Sequence, residues 1–362
     1  MLLHLSLAMA RSNALLPASP SSRPGSAASN NPEEGNSLAR EAAFLHGVKA
    51  WRAHPWRRDL PDPPVVWREA SARLLDHGGA GTPMLFVPSL VNRWTVLDLM
   101  ADHSMLRWLA ANGIRPLLLD WGDPEPAFTP DDHIAGRLLR AIEAAGVLGD
   151  KPILAGYCMG GTFAVAAAVL RPDLIRGLVL LAAPWDFHAG GAETHHLAAT
   201  LRPLLAPWTT IPVDLLQTLF ALNGPDAVAA KFRRFGRLDP ASPEAILFVA
   251  LEDWLNDGVA LSGTTARACL RDWYGENQPM RGTWRIADRV IDPASLRLPA
   301  FVAVPRRDRI VPPAMAMPLA TLIPGATRLE PDTGHIGMTA GRRAPDLLWA
   351  PLRDWVRAVA PA

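Results

Sequence analysis

The feature that most restricts how this chain can fold is a series of continuous apolar runs set between stretches of helical periodicity. The runs are "PMLFVPS" (83–89), "IRPLLLDW" (114–121), "PILAGYC" (152–158), "IRGLVLLAAPW" (175–185) and "PAFVAVPRRD" (299–308). Between them lie helical candidates such as "LDLMADHSMLRWLAANG" (97–113) and "HIAGRLLRAIEAAGVLG" (133–149). A strand with one wet face alternates polar and apolar residues; a strand apolar throughout is covered on both faces. Such strands, each followed by a helix, predict an α/β fold with a mostly parallel sheet covered by helices on both faces.

The regularity lapses between about 186 and 285, where the sequence is mostly helical, rich in Trp and Pro, and poor in strand runs. A helical insertion between two sheet strands is the simplest account, and over the carboxyl edge of the sheet it would act as a lid. Residues 12–37, "SNALLPASPSSRPGSAASNNPEEGNS", carry too little apolar material to offset ordering entropy, so 1–37 is expected to be a disordered leader. Residues 38–64 read as a short helix and a proline-rich connector, and 65–362 as the main domain with its insertion.

Composition bounds the function. Hydrophobic residues make up 49% of the 362 and charged residues 20%, enough apolar material for a sizeable core. A formal net charge of +1 gives no reason to invoke nucleic acid. Lysine occurs only at Lys49, Lys151 and Lys231, so the arginine excess is chain-wide and marks no local binding site. The two cysteines, Cys158 and Cys269, make no disulfide framework and fit a reducing, cytoplasmic compartment. No apolar run reaches the roughly 18 residues of a spanning helix. The start, "MLLHLSLAMAR", has no basic stretch before its apolar residues, so a secretory signal is not expected.

The stretch "AGYCMGGT" (155–162) carries the chemistry. It has the form G-x-C-x-G after an apolar strand and before a helix, the setting of the nucleophile elbow of the α/β-hydrolase fold with cysteine in place of serine. Glycines at 156, 160 and 161 permit the sharp turn, which lifts Cys158 into the site. The helix N-terminus beyond it favours a thiolate and later an oxyanion.

In this fold the acid and base follow the nucleophile in that order. Asp308 ends the last strong strand in "VPRRDRIVPP", and His335 lies in "DTGHIGM" before the final helical stretch. Asp332 is a competing acid. The oxyanion hole calls for the backbone N–H of Met159 and a second one from the loop in "FVPSLVNRWTVLDL", at Leu90, Val91 or Asn92.

On these residues the chain resembles the catalytic subunit of polyhydroxyalkanoate synthases, especially the short form. Matching segments run in order: "VPSLVNRWTVLDL", "SMLRWLAANGIRPLLLDWGDP", "AGYCMGGT", "LEDWLNDG" with "WYGENQPMRG", and "RRDRIVPP" followed by "TGHIGM". The resemblance implies a Cys158–Asp308–His335 triad, 3-hydroxyacyl-CoA as substrate, and a polyester as product. It also implies a possible homodimer or second synthase subunit, and a place at polyester granules. A thiolate attacks a thioester well and leaves well, which suits transfer between thiol and hydroxyl acceptors. The chain departs from the family with Arg309 where it usually has His, and Pro313 where it has Trp.

Two other readings stay open: a cysteine-dependent hydrolase of acyl-CoA or polyester, and a non-catalytic granule-associated or partner-binding subunit. No G-x-G-x-x-G or Walker motif appears, so no cofactor is expected beyond CoA as part of the substrate. His195 and His196 lack further ligands, and no metal site is expected. Trp185, Trp254, Trp273 and Trp284 read as lid core or subunit contacts, and Cys269 as a small core residue.

Overall fold

The computed structural model describes residues 32–222 and 225–359. Most of the expected leader, residues 1–31, lies outside the described residues. The chain divides into two compact units: one comprises residues up to 58 with 214–256, the other 59–213 with 257–362.

The second unit holds an eight-stranded sheet: β1 (Val65–Glu69), β2 (Ala72–Asp76), β3 (Thr82–Val87), β4 (Ile114–Asp120), β5 (Ile153–Tyr157), β6 (Gly177–Leu181), β7 (Ala300–Ala303) and β8 (Thr327–Leu329). Their order is β1-β2-β4-β3-β5-β6-β7-β8. The β1–β2 and β2–β4 pairs are antiparallel; every other pair is parallel. β5, β6 and β7 are buried at every residue, which is why they read as unbroken apolar runs. Leu85 of β3 pairs with Leu117 of β4 and Leu154 of β5, placing the carboxyl ends of the central strands side by side. In open α/β sheets that edge is where ligands bind.

The helical expectation for 97–113 holds only from Met105. Before it, Asp98–Met100 and His103–Ser104 form a two-stranded ribbon, and the helix runs Met105–Ala111. The cause is Asp98, whose buried carboxylate accepts from Ser104 Oγ at 2.6 Å and from Arg107 at 2.7 and 3.0 Å. Ser104 Oγ in turn accepts from the Arg107 N–H at 3.1 Å and caps the helix. A helix through Asp98 would take that carboxylate away from both partners.

Between β6 and β7 the described chain is mainly helical, with helices at Ala192–Leu205, Val213–Leu222, Pro225–Phe235, Pro243–Asn256 and Gly263–Ala268. The segment 186–285 divides between the two units rather than belonging whole to the sheet unit. In the first unit, Ala229, Phe232, Phe235, Ala245 and Val249 form one buried cluster with Phe44, Val48 and Trp51 of the helix Pro32–Ala53. Gly47 is required there, because a Cβ on it would stand 1.9 Å from the Phe232 carbonyl oxygen. That helix begins at Pro32, inside the stretch expected to be leader.

Candidate active site

β5 runs into Cys158, whose backbone takes φ 56° and ψ −127°. A positive φ at a residue with a Cβ is strained, on the order of 1–3 kcal/mol, and persists only where the surroundings hold it. Here the Cys158 N–H donates to the Leu181 carbonyl at 2.9 Å, and the Gly161 N–H donates to the Cys158 carbonyl at 2.8 Å. The glycines are needed for close approach. A Cβ on Gly160 would lie 2.1 Å from the Val87 carbonyl oxygen, and one on Gly156 would lie 2.4 Å from Gly161 Cα. The helix Met159–Leu170 starts at once, with no side chain capping its first turn. Its leading N–H groups therefore stay available to an anion beside the thiol.

Cys158 is partly exposed, whereas Cys269 is buried and its thiol is pushed well up by burial. Asp308 follows β7 in a loop and is buried. Its Oδ1 accepts from the N–H groups of Ile310 (2.8 Å) and Val311 (2.9 Å), and its Oδ2 accepts from His335 Nδ1 at 2.6 Å. His335 opens the helix His335–Ala340 and is also buried. With Nδ1 on Asp308, Nε2 is the ring nitrogen left to face Cys158, which interacts electrostatically with the imidazole. Burial by itself lowers the imidazole pKa, but the Cys158 and Asp308 charges and the Asp308 hydrogen bond outweigh it and raise it to about 10. The arrangement is a cationic imidazole held on the Asp308 carboxylate, with Cys158 as its other electrostatic partner.

Asp332 is exposed and ion-paired with Arg307 at 2.5 Å. In the loop after β3, the Val91 N–H donates to Ser89 Oγ at 3.3 Å, and Asn92 forms a bridge with Gly258. Trp121 Nε1 donates to the Pro88 carbonyl at 3.0 Å and props the loop from behind. Arg309 is exposed, and Pro313 opens the helix Pro313–Leu322.

Two features escaped the sequence. Tyr157 is buried with its ring centroid 5.0 Å from that of His335; the only cue was an aromatic residue next to the nucleophile. His133 is buried among Trp121, Phe128 and Phe163, beside a pocket that Leu90, Arg137 and Leu261 also line. Burial, helped by Arg137, pushes the His133 imidazole down to about 4, so it is neutral at pH 7. The tryptophans belong to aromatic clusters: Trp284 lies 5.9 Å from Trp185 and 5.6 Å from Trp273, while Trp254 is buried in the first unit. The side chains of His195 and His196 lie outside the described residues. Among the described residues no group of three His, Cys, Asp or Glu could hold a metal, and no helix is long and apolar enough to cross a membrane.

Known proteins agree with this fold. Residues 82–339 match the α/β hydrolase fold family. Among solved structures, the putative non-heme bromoperoxidase BpoC of Mycobacterium tuberculosis superposes with a TM-score of 0.55 at 15% identity, covering 84% of this chain and all of that one. A thermophilic esterase from Thermogutta terrifontis gives a TM-score of 0.51 at 21% identity, covering 83% of this chain and all of that one. These likenesses speak for the fold.

Sequence relatives are narrower. The poly(3-hydroxyalkanoate) polymerase subunit PhaC of Allochromatium vinosum is 30% identical over 286 residues, 76% of this chain and 80% of that protein. Its namesake from Synechocystis is 29% identical over 73% of this chain and 75% of that protein. The Haloferax mediterranei protein of the same name is 29% identical over 80% of this chain, which spans only 63% of that relative's length. The chain belongs to the α/β-hydrolase superfamily and, within it, to the family of the poly(3-hydroxyalkanoate) polymerase subunits PhaC.

Proposed function

We propose that this chain is an acyltransferase that moves 3-hydroxyacyl groups from CoA thioesters, through an acyl-cysteine at Cys158, to the hydroxyl end of a growing polyester. The observation that carries the reading is the buried Asp308–His335 hydrogen bond at 2.6 Å, with the partly exposed Cys158 interacting electrostatically with the same imidazole. The name shared by the relatives, poly(3-hydroxyalkanoate) polymerase, supports the substrate and product.

In this mechanism His335 holds the proton of the Cys158 thiol, and the thiolate attacks the thioester carbonyl. Negative charge collects on the carbonyl oxygen, within reach of the Met159 N–H and an N–H of the loop after β3. With Val91 turned to Ser89, that second donor is Leu90 or Asn92. The C–S bond to CoA breaks, and His335 gives its proton to the departing sulfur. The 3-hydroxyl of the acceptor then loses its proton to His335 and attacks the acyl-cysteine. An ester bond forms, and Cys158 leaves as the thiolate. Asp308 keeps the imidazole in the right tautomer and carries its charge through both halves.

The reading includes a cytoplasmic setting at the polyester surface, no cofactor beyond the CoA of the substrate, and a homodimer or a second subunit as partner. The experiment is one incubation of the purified protein with 3-hydroxybutyryl-CoA, read for CoA release and product size. CoA release with polymer of growing mass supports the synthase; CoA release with free 3-hydroxybutyrate makes the chain a hydrolase; no release makes it a binding subunit.

A further inference from the structure

Tyr157 precedes Cys158 and takes no part in the proton transfers above. Its ring centroid lies 5.0 Å from that of His335, with 31° between the planes. Its hydroxyl donates to the His335 backbone carbonyl at 3.4 Å, a long contact, and interacts with the Thr339 side chain. The residue is 4% exposed. One side chain, covalently next to the nucleophile, therefore lies against the ring of the base and touches the first and fifth residues of the helix His335–Ala340.

The helix is tied on its other side as well. Trp349 Nε1 donates to the Thr339 carbonyl at 2.9 Å, and the His103 ring hydrogen-bonds the Ala340 carbonyl at 3.0 Å. Those bonds hold the helix; neither touches the imidazole. The ring of His335 has one in-plane hydrogen bond, from Nδ1 to Asp308, and about that bond it could still rock. An aromatic face packed against it removes that freedom. The same face is attractive to a cation, so it favours the protonated imidazole over the neutral one.

We propose that Tyr157 is a positioning residue, whose ring holds the His335 imidazole in the plane that joins Asp308 to Cys158 and supports its positive charge. The role rests on the reading of Cys158 and His335 as nucleophile and base. Most of it belongs to the ring, since the hydroxyl contact on His335 is long.

The test uses Tyr157→Phe, which keeps the ring, and Tyr157→Leu, which does not. The first measurement needs no substrate: the pH dependence of Cys158 alkylation by iodoacetamide, located by mass spectrometry. Iodoacetamide reads the thiolate fraction of Cys158, which an adjacent imidazolium favours. In Tyr157→Leu the alkylation profile is expected to move to higher pH than in the parent, by about one unit or more. Tyr157→Phe is expected to stay nearer the parent than Leu. The second measurement is turnover of 3-hydroxybutyryl-CoA. Tyr157→Leu is expected to lose about 100-fold in kcat with KM within a few-fold, the signature of a misplaced group, and Phe to recover most of that loss.

A Leu variant with the parental alkylation profile would overturn the proposal, as would a Phe variant as damaged as Leu. Should Leu fail to fold, Tyr157→Met fills similar space without a ring and carries the same expectations. If no acyl-CoA is turned over by any form, the function reading fails, while the alkylation profile still decides the role of Tyr157.

Discussion

Asp308 grips His335 with one carboxylate oxygen, 2.6 Å from Nδ1, while its other oxygen is pinned by the N–H groups of Ile310 and Val311. The carboxylate therefore cannot swing away, and the imidazole tautomer is set by the backbone of the loop after β7. The predictions follow from this pair and from the elbow it serves.

Asp308→Asn keeps the shape of the side chain but removes the charge that stabilises the imidazolium. In a serine triad the same change costs about 10⁴ in turnover. A thiol is more acidic than a hydroxyl, so acylation of Cys158 depends less on the base than does attack by the acceptor's 3-hydroxyl. The expected outcome is acyl-enzyme still visible by intact mass while multiple turnover nearly stops. Equal losses in both steps would show that Asp308 does not serve hydroxyl activation.

Cys158→Ala should abolish CoA release, and Cys269→Ala should leave most of it. Only Cys158 is partly exposed on an elbow; Cys269 is buried with its thiol pushed up. CoA release assays on the two variants check this, and a dead Cys269→Ala with a live Cys158→Ala would reverse the assignment.

The raised pKa of His335 makes stability depend on pH in a stated direction. Its folded value of about 10 lies above the ordinary 6.5. Its contribution is thus fully present below pH 6.5 and is lost as pH rises through about 10. Thermal unfolding followed from pH 6 to pH 10 should show the parent losing more stability than His335→Gln. Parallel curves for the two proteins would mean that the imidazole is not held charged.

Gly160→Ala should cost about 3 kcal/mol or more, because its Cβ would meet the Val87 carbonyl oxygen at 2.1 Å and neither backbone can give way cheaply. Gly146, in the helix Leu139–Val147, has nothing within 4 Å of its Cβ position. Gly146→Ala should stabilise by about 0.5–1 kcal/mol. Denaturant unfolding of both variants measures the contrast.

The sheet's central strands were legible because they are buried on both faces. β4, β5, β6 and β7 lie inside the runs 114–121, 152–158, 175–185 and 299–308, and β3 starts one residue before the run 83–89. The edge strands were not. β1 has only exposed and half-buried residues, and β8 is three residues long and largely exposed, so neither leaves an apolar run to read. The expected helix at 97–113 began late because a buried carboxylate, Asp98, found Ser104 and Arg107, a contact that periodicity does not encode.

By itself, the sequence determined that the chain builds a parallel α/β sheet, that a cysteine stands at a G-x-C-x-G turn, and that Asp308 and His335 follow it in order. These are local properties: hydrophobic period, glycine at points of close approach, and residue type along the chain. Only the tertiary structure decided that Asp308, 27 residues before His335, meets it rather than Asp332, three residues before it, because a contact across that distance depends on how the loop after β7 packs. Likewise, only folding brought Tyr157 against His335 and grouped residues 214–256 with the N-terminal helix. Contacts between residues far apart in the chain depend on the packing of whole elements, which no short stretch of sequence records.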